Sequence, residues 1–347
     1  MDKQNQKELR KQIAPYEKSS TKNSVRQMIN TLVPFFALWI LAYVSISYSY
    51  LITLAITAVA AGFLVRAFII FHDCCHGSFF KNKRANNIIG TITGIMTFCP
   101  YEQWKHSHNV HHATNSNLNK RGTGDVWVLT VDEYMSSSFW TRLGYRLYRN
   151  PITMFIIGPI YVFLIQYRFN RKDARKKERV NTYITNIALV AIITLFSLTI
   201  GFKTFLMIQG PIFLISGILG VWLFYVQHQF EDSYFETEEN WDYVKAALQG
   251  SSYYKLPKVL QWITGNIGYH HIHHLSSRIP NYYLEEVHNK NEVLQDVPTI
   301  NLPKSLESLK FKLWDEENKK FVSFKRVKQV KEKIKNAYST PNKEQTS

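Results

Sequence analysis

Four apolar runs in two tight pairs constrain this 347-residue chain more than any other feature. They cover roughly 31–48 and 50–71, then 183–200 and 205–226. Each is about 18–22 residues, the length at which an α-helix crosses a hydrocarbon core of about 30 Å. The joint Ser47-Tyr48-Ser49-Tyr50 is short and uncharged, and the second pair turns near Gly201-Phe202-Lys203-Thr204. Each pair therefore predicts a helical hairpin, because backbone in hydrocarbon must satisfy its own hydrogen bonds. Two weaker stretches lie between the pairs. Ile88–Phe98 is too short to span, and Ile152–Phe169 is interrupted by Gly158-Pro159. Both read as interfacial or re-entrant helices, with a crossing by the second left open. The expected fold is an all-α integral membrane protein, with four transmembrane helices in two hairpins and a helical cap on one face.

Charge decides which face. The chain carries 42 Lys and Arg against 26 Asp and Glu, a formal net charge of +16. Such a balance suits nucleic acid or an anionic membrane surface, and the apolar runs select the membrane. No nucleic-acid module is visible, so no nucleic-acid partner is expected. Every Lys and Arg except Arg66 and Lys203 lies before residue 31, within 72–180 or after 226. Four spans put those three regions on one side, which the positive-inside rule makes cytoplasmic. The domain reading is then a cytoplasmic segment 1–30, a membrane unit 31–284 and a basic cytoplasmic tail 285–347, with Thr340–Ser347 disordered. The polar N-terminus offers no cleavable signal peptide, so the spans serve as the insertion signal. Cys74, Cys75 and Cys99 have no disulfide-framework or metal-type spacing and fit reduced thiols on a cytosolic face.

The histidines carry the chemistry. Of twelve, eight fall in three groups: His72 and His76; His108, His111 and His112; and His270, His273 and His274. Positions three or four apart share one face of a helix, so each group can aim its imidazoles at one metal or a close pair. His72 and His76 begin where the second run ends, and a ninth residue, His228, sits where the fourth run ends. With both hairpins opening to the same side, all nine converge on one membrane face. His106 and His271 lie outside the strict pattern, and His288 outside every group. Zinc takes three or four protein ligands, whereas nine nitrogens match two metals, and imidazole suits zinc, copper, iron and nickel. Asp73, Asp125, Glu231 and Asp232 are candidate acceptors for the outward imidazole N–H groups. For Asp125 a loop-structural role is an equal alternative.

Three stretches carry a family resemblance: Phe71-His-Asp-Cys-Cys-His-Gly-Ser, Trp104-Lys-His-Ser-His-Asn-Val-His-His and Gly268-Tyr-His-His-Ile-His-His-Leu. Their order and their placement around the two hairpins resemble the membrane fatty-acid desaturases, closest to the bacterial acyl-lipid delta-5 desaturases, over about residues 31–284. The resemblance implies a di-iron centre held by His72, His76, His108, His111, His112, His228, His270, His273 and His274, with O2 as co-substrate. It implies introduction of a cis double bond into an acyl chain of membrane phospholipid, in a bacterial plasma membrane. Some relatives complete the metal sphere through an asparagine and a water; Asn266 does not match that position well and is left out. No His-Pro-Gly-Gly motif of a fused cytochrome b5 domain occurs. A separate donor is expected, ferredoxin or flavodoxin before cytochrome b5.

An unactivated methylene is too weak an acid for any side-chain base, so the reaction needs an oxidant carried by a cofactor. Two rivals remain. A di-iron lipid hydroxylase or ketolase would share the scaffold and differ in product. A metal transporter would hold its ligands near the membrane midplane, whereas these lie at the ends of the spans.

Overall fold

The structure, a computed structural model, describes residues 3–339; the expectation for Thr340–Ser347 lies outside the described residues. Among the described residues, four helices are long and apolar enough to span: α1 (Thr21–Ser45), α2 (Tyr50–His76), α5 (Lys176–Ile200) and α6 (Phe202–His228). Between them lie α3 (Lys83–Met96) and α4 (Tyr101–Thr114). After α6 come α7 (Tyr243–Gln249), α8 (His270–Leu275) and α9 (Asn281–Lys290). The expected all-α architecture with two hairpins is the one observed. Among the described residues, strand is confined to four three-residue segments, a parallel pair (253–255 with 299–301) and an antiparallel pair (313–315 with 320–322).

The long helices overrun the apolar windows. α1 starts at Thr21 because Ser20 caps it, its side chain accepting from the Asn23 N–H. α2 runs on to His76 and α6 to His228. Hydropathy marks where hydrocarbon ends, but helical hydrogen bonding continues until a residue breaks it. For α2 that residue is Gly77, at φ 72°, where left-handed backbone is accessible without strain. Both helices thus lift their last turn into the cap. Within the first hairpin, Ser45 and Thr53 hydroxyls meet at 2.8 Å across the buried seam. Around it Phe35, Ala42, Ala60, Ala61, Leu64 and Ala67 pack with Ile208 and Ile212 of α6. Outward positions on α1 and α5, including Val33, Ile40, Ile187 and Leu198, are exposed and apolar, as a lipid-facing surface requires.

Residues 152–169 form a broken helix: a π-turn at Thr153–Ile157, an α segment at Gly158–Leu164 and a 3₁₀ turn at Gln166–Arg168. The whole is bent 69° from the preceding helix Phe139–Tyr148. Pro159 lacks the N–H that a regular helix needs there, and its ring meets Gly217 of α6, where a Cβ would come within 2.9 Å.

Residues 285–339, read above as a tail, pack into the cap. Val287 and Leu294 join the core beneath α7 and α8, and Trp314 and Phe321 close on Phe235. The helix Lys325–Ser339 sets Val327 against Val131, Tyr134 and Leu313.

Candidate metal centre

Four elements deliver the histidines. The raised last turn of α2 brings His72 and His76, α4 brings His108, His111 and His112, the end of α6 brings His228, and α8 brings His270, His273 and His274. α8 is only six residues long, and packing rather than propensity holds it: Ile272 is fully buried, and Tyr269 stacks on Tyr253 at 4.7 Å. His76 is partly buried by residue and the other eight are buried.

Two groups emerge. The ligand atoms of His72, His76, His108, His112 and His273 lie within 4.8 Å of one another, as do those of His111, His228 and His274. His270 attaches to the second group, its Nε2 at 2.9 Å from His228 Nε2 and 3.2 Å from His274 Nε2. In the first, His112 Nε2 lies 2.9 Å from His273 Nε2 and 3.1 Å from His108 Nε2. His111 Nε2 and His228 Nε2 are 3.3 Å apart. All nine residues singled out in the sequence therefore meet, in two adjacent pockets.

The donor chemistry fits a pair of metal cations. A neutral imidazole has one N–H, so converging Nε2 atoms cannot all be satisfied by each other. The Nε2 atoms of His72 and His76 are buried with no hydrogen-bond partner, an arrangement that costs free energy unless a cation takes the lone pairs. Burial pushes the protonation of His108, His112, His270, His273 and His274 well below the usual imidazole range, and neighbouring imidazoles push it further. Neutral nitrogens are the form a metal binds. Neither group includes a carboxylate or thiol among the described residues, and an all-imidazole set suits zinc, copper, iron or nickel.

Carboxylates stand one bond out. Asp73 Oδ1 is 3.0 Å from His72 Nδ1, and Asp125 Oδ1 is 2.5 Å from His111 Nδ1. Accepting at Nδ1 leaves Nε2 free for the metal. The loop bearing Asp125 can approach because Gly124, at φ 79°, has no side chain; a Cβ there would come within 2.8 Å of the Ser107 carbonyl oxygen. His228 is held differently, its Nδ1 at 3.3 Å from the Gly250 carbonyl oxygen.

Glu231 and Asp232 correct the sequence reading. Both are exposed, and Glu231 pairs with Lys320 at 3.4 Å rather than with a histidine. The chain leaves helical geometry at Gln229, so the two acids point away from the cluster. His271 faces the opposite side of α8, where its Nε2 donates to the Leu294 carbonyl at 3.0 Å and burial lowers its pKa to about 3. His106 turns outward to Arg175 and Glu178. Asn266 donates to the Asn281 carbonyl at 3.3 Å. Residues that spacing did not reveal include Trp104, stacked on His108 at 4.2 Å, and Phe224, against both His111 and His228. Trp104 also meets Phe68 and Phe71 of α2, an apolar ring wall directly beside His72 and His108.

Two membrane hairpins under a cap with a nine-histidine centre define a multi-pass membrane protein with a metal-type site. The fatty acid desaturase family profile matches residues 47–303. A fatty acid desaturase of Bacillus subtilis is 64% identical over 94% of this chain and 92% of its own length. An sn-1 oleoyl-lipid 12-desaturase of Synechocystis is 26% identical over 65% of this chain and 64% of its own. From the same organism, an sn-1 acyl-lipid omega-3 desaturase (ferredoxin) is 29% identical over 62% and 61%. The chain belongs to the fatty acid desaturase family and is an oxidoreductase that desaturates fatty acids.

Proposed function

We propose that this chain is an O2-dependent acyl-lipid desaturase that puts a cis double bond into a saturated acyl chain of membrane phospholipid, at the cytoplasmic face of a bacterial plasma membrane. The observation that carries it is the convergence of nine imidazoles, eight buried and His76 partly so, in two groups where the ends of two membrane helices meet two helices of the cap, in a chain of this family. His72, His76, His108, His112 and His273 would hold one iron, and His111, His228, His270 and His274 the other. Iron with dioxygen supplies the oxidising power to take hydrogen from unactivated carbon.

The chain's own residues do the rest. Asp73 and Asp125 fix the tautomer and ring angle of His72 and His111, and their negative charge offsets part of the buried cationic charge. Phe68 and Trp104, half-buried and backed by the fully buried Phe71, are the apolar surface we assign to the acyl chain, which would hold two neighbouring methylenes beside the centre. Burial of the nine rings excludes bulk water from the reacting carbons. Forming one C=C from CH2–CH2 with O2 consumes two electrons and two protons and releases two waters. We assign delivery of the two electrons to a separate donor protein.

Exposed cations at Lys172, Arg175, Lys176 and Lys177 favour a small acidic carrier. Ferredoxin or flavodoxin is the donor we propose, ahead of cytochrome b5, and one Synechocystis relative carries ferredoxin in its name. The double-bond position we propose is delta-5, on the likeness of the three histidine stretches to the delta-5 desaturases of Gram-positive bacteria. Relatives that act at other positions show that the family alone does not fix it. The fatty acid profile of a host lacking desaturases, with and without this chain, tests the reading.

A further inference from the structure

Asp73 holds His72, and the structure shows what holds Asp73. Its Oδ2 accepts the Asn281 backbone N–H at 2.7 Å and the Asn281 side-chain amide at 2.8 Å. The Asn281 Oδ1 in turn accepts from Gln27 Nε2 at 2.9 Å. All four side chains are at least nine-tenths buried: Gln27 and His72 are 3% exposed, Asn281 2% and Asp73 1%. The line runs from the cytoplasmic end of α1, through the first residue of α9, to the last turn of α2.

Each link sets the next. The Asp73 carboxylate takes three donors, so its Oδ1 receives the His72 Nδ1–H, and the Nε2 lone pair faces the first histidine group. Asn281 must present its amide N–H to Asp73, which turns its oxygen toward α1. Only a donor can sit there, and Gln27 supplies one. The opposite end, Gln27 Oε1, is buried without a partner. That end is therefore not what fixes the glutamine; the Asn281 contact is. α1 contributes no histidine to the centre, and this line is the path by which it reaches one.

We propose that Asn281 and Gln27 are positioning residues for the metal centre: through Asp73 they fix the tautomer and angle of His72, and so set how tightly the first group holds its metal. The proposal rests on the reading of His72 as a ligand. Gln27→Glu is the discriminating variant. It is nearly isosteric and lies two hydrogen-bonded residues from His72, yet it sets an acceptor against the Asn281 oxygen. The Asn281 amide must then flip, turning its oxygen onto Asp73. Gln27→Met removes the bond without opposing it, and Asn281→Ala removes the side-chain link outright.

The readouts are iron per chain in detergent-purified protein, the rate of iron loss to an added chelator, and the folded fraction by circular dichroism. Outer partners of metal-ligating histidines typically set 10- to 100-fold in affinity. Gln27→Glu and Asn281→Ala should lose iron at least about tenfold faster than wild type, with Gln27→Met between them and wild type. Folded Gln27→Glu and Asn281→Ala proteins that release iron at the wild-type rate would overturn the proposal. So would equal effects of Gln27→Met and Gln27→Glu, which would mark Gln27 as packing alone. If His72→Ala itself left iron content and release unchanged, the ligand assignment, and not the positioning line, would be the part that failed.

Discussion

His112 stacks on His274 at 4.2 Å between ring centroids, with the rings only 17° from parallel, while its Nε2 lies 2.9 Å from His273. The pair joins the two histidine groups: His112 belongs to the first, and His274 to the second. α4 and α8 thus each feed both histidine groups, whereas the first group alone draws on α2 and the second alone on α6.

Replacement of His112 should therefore disturb both positions. Wild-type protein purified gently should carry about two irons per chain, the number that nine imidazoles can hold. His112→Ala should lower iron content by more than one per chain and cut activity by more than the 10- to 100-fold typical of an outer partner. His288→Ala is the contrast. His288 is buried against Tyr253 at 4.7 Å, so its loss should cost stability, about 1–3 kcal/mol, but leave iron in place. Stoichiometric zinc without iron in active protein would contradict the assignment.

Acid should weaken the cap. In the unfolded chain imidazoles take up protons near pH 6.5, while burial holds those of His108, His112, His270, His273 and His274 neutral to much lower pH. Between those limits the unfolded state binds more protons, so stability rises with pH through that window and levels off above about 6.5. The melting temperature of iron-depleted protein should fall as pH goes from 7 to 5. Bound iron should be lost in the same direction, because protons compete for the same nitrogens. A melting temperature that rises on acidification contradicts this.

Much of the architecture is legible from sequence because its causes are local. Apolar runs of spanning length and i, i+3, i+4 histidines declare both hairpins and the three groups without any tertiary knowledge. What stays hidden depends on distant partners. Nothing near Asn281 in sequence points to Asp73, more than two hundred residues away. Trp104 is unremarkable until α2 and α4 bring it onto His108. Glu231 and Asp232 are misleading for the converse reason: proximity to His228 along the chain is undone by one turn out of the helix at Gln229. The order of the segment after 284 is equally non-local, since Trp314 and Phe321 find their core on Phe235.

If the bent segment Phe139–Arg168 does not cross, the two hairpins should put residue 175 on the same side as the N-terminus, with the joints near Ser49 and Lys203 opposite. Reporter fusions at residues 20, 49, 175 and 203 read this directly. A reporter at 175 on the side opposite the N-terminus would mean that the bent segment Phe139–Arg168 crosses the membrane, and the positions of the caps would have to be redrawn.

Docking of an acidic electron carrier on Lys172, Arg175, Lys176 and Lys177 should be sensitive to salt. Exposed charge pairs are screened beyond about 8 Å at physiological ionic strength. The second-order rate of reduction by ferredoxin or flavodoxin should fall steeply between low and high salt, and reversing two of these charges should flatten the dependence. A rate that ignores ionic strength would count against this surface.

Desaturation of lipid acyl chains is read in the mass of the product. Two neighbouring methylenes held beside the centre permit a second hydrogen removal, whereas a hydroxylase would leave oxygen on the first carbon. In a host whose phospholipids are saturated, mass spectrometry of the fatty acids after expression should show monounsaturated chains two hydrogens lighter than their precursors, cis in geometry and present in intact phospholipid. Chains that gain one oxygen and carry no alkene would make the protein a hydroxylase and rule desaturation out.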